Sequence, residues 1–147
     1  MKMIFSTIFL IVTMSVSSHE VILEDKTTEE IIDARMKKMS NINTLSQKLY
    51  KLLNLDNYEI LKKNTLKLKH AAVDFQILFP ENSQGGKAKN LIWEDRKLFK
   101  RYNDDFLYDI NSMLNNINEK NIKALKQSFN NMASNCGSCH KKFKNKK

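Results

Sequence analysis

The chain has 147 residues, 41% of them hydrophobic and 28% charged, the make-up of one globular domain. Three glycines and one proline leave little turn chemistry for a many-stranded sheet, and Lys and Asn outweigh the β-formers Val and Thr. Two cysteines are too few for a disulfide framework, and a net charge of +9 does not by itself name a partner.

Residues 1–18 (MKMIFSTIFLIVTMSVSS) place one lysine, Lys2, before an apolar run, with small residues at Ser15, Ser17 and Ser18. That order is a secretory signal peptide, and the run is too short for a standard membrane span. The mature domain is then residues 19–147, working in the periplasm. Four amphipathic segments with a helical period follow. Thr27 and Glu30 form a capping box ahead of the first, whose stripe is Ile32, Met36, Met39, Ile42, Leu49 and Leu53. Asp56 and Glu59 open the second in the same way, with Leu61, Leu68, Ala71, Ala72 and Phe75 on its face. Pro80 ends it, and residues 80–90 (PENSQGGKAKN) form the longest loop. A third segment carries Ile92, Phe99, Tyr102, Phe106, Ile110, Met113 and Ile117. After the polar joint 118–121 comes a fourth, with Ile122, Leu125, Phe129, Met132, Cys136, Cys139 and Phe143. Short connections make neighbours antiparallel, so the expected fold is all-α, an up-down-up-down four-helix bundle.

The fourth segment carries C-x-x-C-H, Cys136-Gly137-Ser138-Cys139-His140. This is the attachment signature of a c-type haem. Two thiols three residues apart can each form a thioether with a haem vinyl group, and the adjacent imidazole is placed to ligate the iron. On a helix the three stand at i, i+3 and i+4 and share one face. A dithiol redox motif would want a βαβ setting, and a structural zinc site would want four closely set ligands; neither is present. The expected cofactor is one covalent haem c with its iron.

A haem motif on the last of four helices, behind a signal peptide, resembles the cytochrome c′ family. The resemblance extends to residues 79–93 (FPENSQGGKAKNLIW), similar to the family's loop into the third helix. It extends also to residues 34–39 (ARMKKM), where the family has an Arg and, four residues on, the side chain over the open haem face. The resemblance implies that Arg35 pairs with a haem propionate and that Met39 stands at that face, with Met36 the next candidate. Lys144 falls where the family often carries Arg near the proximal side. Homodimers through the first two helices are common in the family and are a possible assembly here.

A Met at position 39 is similar to the family's low-spin branch, in which the thioether fills the sixth iron site. The expected function is therefore a non-enzymatic one-electron carrier, ligated by His140 and Met39 and serving periplasmic or membrane redox partners with acidic surfaces. The alternative is a five-coordinate haem that binds nitric oxide or carbon monoxide for sensing or detoxification. A peroxidase would want a distal acid–base group, and the first helix offers Arg35, Lys37 and Lys38 but no histidine. The basic tail, residues 141–147, lacks the interleaved aromatics of a nucleic-acid site, so no nucleic-acid partner is expected, and the tail reads as a solvated helix end.

Overall fold

A computed structural model describes residues 23, 25–55 and 57–146. The expected signal segment, His19 and Asp56 lie outside the described residues. Helix α1 (Thr28–Leu52) opens with the anticipated reciprocal cap. The Thr27 hydroxyl accepts from the Glu30 N–H at 3.2 Å, and the Glu30 carboxylate accepts from the Thr27 N–H at 2.8 Å. Helix α2 (Tyr58–Gln76) is capped instead by Asn57, directly ahead of its first residue, whose side chain accepts from the Ile60 N–H. This replaces the capping expected from Asp56 and Glu59.

The expected third helix is broken. A short α3 (Leu91–Glu94) stops at Asp95, and α4 (Arg96–Asn118) restarts there. Asp95 leaves helical geometry (φ −129°, ψ 72°), and its carboxylate accepts from the Leu98 N–H at 2.9 Å. A short acidic side chain that competes for backbone donors ends one helix and caps the next. Helix α5 (Ile122–Phe143) follows a tight joint in which Lys120 adopts a positive φ of 54°.

Helix α1 packs on α2, α2 on α4 and α4 on α5, giving the four-helix bundle. The middle of the bundle is aliphatic, built on Ile42, Leu49, Leu61, Leu68, Ile110, Met113, Leu125 and Met132. One end is aromatic. Phe79 stands edge-on to Phe75 (5.0 Å between centroids) and Phe99 (4.8 Å), and Phe143 to Phe99 (5.3 Å) and Tyr102 (5.2 Å). Such edge-to-face contacts fix ring orientation as well as burying area. They give this end of the molecule a rigid floor.

Two departures from the expected stripes lie at this aromatic end. In the first three turns of α1 the buried positions are Ile31 and Arg35, whereas Ile32 and Met39 are partly exposed and Met36 is 49% exposed. Those three face open space, not core, because a cavity adjoins them. In the loop, Gly85 and Gly86 both take positive φ (126° and 64°), and a Cβ on Gly86 would stand 2.8 Å from Ile32 Cγ2. Only glycine lets the loop come this close to α1.

Candidate functional site

The cavity measures about 260 Å³ and lies between the N-terminal half of α1, the 80–90 loop and the end of α5. Helix α5 brings Cys139 and His140 to one wall. Helix α1 brings Ile32, Arg35, Met36 and Met39 to another, and Phe75, Phe79, Phe99 and Phe143 floor it. Five of the six residues singled out from sequence therefore line one space. The sixth, Cys136, lies one turn before Cys139 on α5.

Both cysteines are free and partly buried. Burial pushes the Cys136 thiol up, and the neighbouring Asp109 carboxylate adds to this. Burial, with Cys136 adding, pushes Cys139 up to about 11. At neutral pH both sulfurs hold their protons, which restrains metal capture and disulfide exchange. His140 moves the other way: burial lowers it, and the Lys144 charge lowers it further. Its ring is neutral at pH 7, the form in which an imidazole nitrogen binds a metal. Among the described residues no group of three or more His, Cys, Asp or Glu is set to hold a metal ion. Cys136, Cys139 and His140 thus do not converge on a bare ion by themselves.

Arg35 is only 6% exposed. One terminal nitrogen donates to the Ser83 carbonyl, and the guanidinium lies over the rings of Phe79 (4.9 Å) and Trp93 (5.4 Å). Nε and the other terminal nitrogen have no partner. Burial lowers the Arg35 pKa, but an arginine stays charged at neutral pH. A buried cation with open donors is costly unless an anion completes it. The clamp is held by its own bonds. Pro80 O accepts from Trp93 Nε1 and from Ser83 Oγ, each at 2.8 Å, and Arg96 donates to Phe79 O at 2.6 Å and pairs with Glu81 at 3.0 Å.

Two thiols one helical turn apart, a neutral imidazole beside them and a buried guanidinium with free donors fit a flat, carboxylate-bearing, thiol-tethered macrocycle. That is the donor set haem c requires. Phe79 and Phe143 are buried in the aromatic cluster, with Trp93 packed against it. Phe79 and Trp93, tilted against each other, together also carry the Arg35 guanidinium, and no spacing marks that role. Ser83 was missed as well; a lone loop serine carries no signal. So was Asp109, buried on α4, whose Oδ2 accepts from Asn135 Nδ2 at 2.6 Å beside Cys136. His70 is exposed on α2 and Lys144 lines the cavity next to His140.

The family model described as Cytochrome C′ matches residues 30–144. No curated protein matches the sequence. Among solved structures, a ferrous variant of cytochrome c prime from Alcaligenes xylosoxidans with bound nitric oxide superposes at a TM-score of 0.80. It shares 20% identity and covers 84% of this chain and 100% of its own. A carbon monoxide-bound variant from the same organism superposes at 0.77, with 19% identity and the same coverage. A further cytochrome c′ reaches 0.79 at 18% identity, covering 83% of this chain and 100% of its own.

Proposed function

This chain belongs to the cytochrome c′ family, and on that premise we propose that it takes a diatomic gas, nitric oxide or carbon monoxide, on the haem face opposite His140. The family's cofactor is one covalent haem c, tethered here through Cys136 and Cys139. When bound, its iron supplies a coordination position for a gas and one-electron redox chemistry.

The observation that carries the reading is the α1 wall. Ile32, Met36 and Met39 line the same cavity as His140, with no carboxylate and no second histidine among the lining residues. Such a wall offers no base for proton-transfer catalysis, while leaving an uncharged diatomic molecule unopposed. Solved structures of the same fold with bound nitric oxide and carbon monoxide support it. In this reading His140, neutral at pH 7, would ligate the haem iron. Arg35 directs its two unpartnered nitrogens to a propionate, and Met36 and Met39 crowd the open face. The signal-like residues 1–18 support a periplasmic setting. Among the described residues no helix is long and apolar enough to cross a membrane.

A second reading is favoured by one specific side chain. The Met39 thioether is partly buried on that same wall, and as sixth ligand it would close the iron to gases and make the protein a one-electron carrier. The Met39→Leu variant separates the two. With the face open, the ferric spectrum of the variant matches that of the wild type. With Met39 on the iron, the substitution converts a low-spin ferric spectrum to a high-spin one.

A further inference from the structure

The mouth of the cavity is ringed by lysines. A shallow recess joined to it at His140 is lined by Gly86, Lys87, Lys141, Lys144, Asn145 and Lys146, and all four lysines are exposed. No Asp or Glu lines the recess or the cavity behind it. None of the four lysines joins the ion pairs found among the described residues, which involve Lys37, Lys38, Arg96 and Lys100.

The ring is also held in place. The end of α5 is stapled to the glycine loop: Lys89 N–H donates to Phe143 O and Asn145 N–H to Lys87 O, each at 2.9 Å, and Ala88 and Lys144 form an antiparallel bridge. Lys89 Nζ caps the helix by donating to Lys141 O (3.2 Å) and Lys142 O (3.1 Å). The backbone that carries the four lysines is therefore fixed around the edge of the cavity. A preset single-sign field concentrates an oppositely charged partner and orients its approach.

We propose that this rim, Lys87, Lys141, Lys144 and Lys146, is the docking face for a protein partner bearing a carboxylate-rich patch, which it seats over the exposed edge of the cavity. The proposal rests on the haem reading of that cavity, since the edge matters only if a redox group lies behind it. A protein fits better than a lipid surface. The lining of the recess offers no large apolar side chain to insert, whereas membrane-surface elements pair their basic residues with Trp, Phe or Leu.

The test is a calorimetric titration of the haem-loaded protein with a decaglutamate peptide at low and at physiological salt. Lys141→Glu/Lys146→Glu is compared with Lys62→Glu/Lys67→Glu, which makes the same charge change on the α1–α2 groove. The expected result is affinity weakened about tenfold by the rim pair, little changed by the groove pair, and falling with salt. Equal weakening by both pairs would mean that net charge alone acts and would overturn the proposal. Rim-dependent binding to phosphatidylglycerol vesicles with none to the peptide would overturn it too, in favour of a membrane. The peptide heat does not depend on iron. Should the chain fail to acquire haem, the cavity reading falls, while the same titration of the haem-free protein still decides whether the rim binds acidic chains.

Discussion

Arg35 and Asp109 are the two charged side chains buried among the described residues, and they are satisfied differently. Arg35 keeps two donors open toward the cavity, whereas Asp109 lies against Asn135 with no cation paired to it. Burial raises the Asp109 pKa; the bond from Asn135 opposes the rise, and the Asp105 charge adds to it. A carboxyl whose pKa is raised by folding favours the folded state in its protonated form. The ionised form costs stability, and that cost grows as pH climbs from the ordinary carboxylate range through the raised value. Asp109→Asn keeps an acceptor for Asn135 and removes the charge. It is expected to stabilise the protein at pH 7 by up to about 1 kcal/mol, with the gain shrinking toward pH 4. Urea unfolding at the two pH values checks this. Little of it was legible in the sequence, because Asp109 stands between Tyr108 and Ile110 in a helix where acids recur at 104, 105 and 109 and no spacing marks the buried one. Cys136, Cys139 and His140 were legible, because their chemistry fixes their spacing.

At the scale of the elements, the boundaries written by side-chain chemistry could be read and those written by tertiary contact could not. The Thr27–Glu30 cap and the stop before Pro80 follow from local hydrogen bonding and ring geometry. The break at Asp95 uses equally local chemistry, but an apolar period running from Ile92 to Ile117 hides it. The stripe of Ile32, Met36 and Met39 carries a true helical period. Periodicity reports which face is apolar, not whether protein or a cavity lies opposite. Gly86 links loop and helix at this point. The Gly86→Ala variant must strain a left-handed residue and push against Ile32 Cγ2. It is expected to lose about 1–2 kcal/mol and to loosen the cavity wall. Thermal unfolding of the haem-loaded variant checks the loss, and a shifted Soret band checks the wall.

For the molecule as a whole, the bundle and its covalent haem follow from four amphipathic helices and one motif, and the family match over residues 30–144 agrees with both. The described lysines of the tail are exposed, as a solvated helix end implies, and its backbone is also bonded to the glycine loop, a pairing over more than 50 residues that local pattern cannot carry. What the haem does is decided at this scale too. An apolar wall facing His140 serves gas binding if it stays off the iron and electron transfer if Met39 closes on it. The most direct measurement is the absorption spectrum of the dithionite-reduced, haem-loaded wild-type protein before and after carbon monoxide is added. An open face gives a broad high-spin ferrous spectrum that sharpens and shifts with the gas. A sharp low-spin spectrum indifferent to carbon monoxide would contradict the gas-binding account and establish Met39 as the sixth ligand's leading candidate.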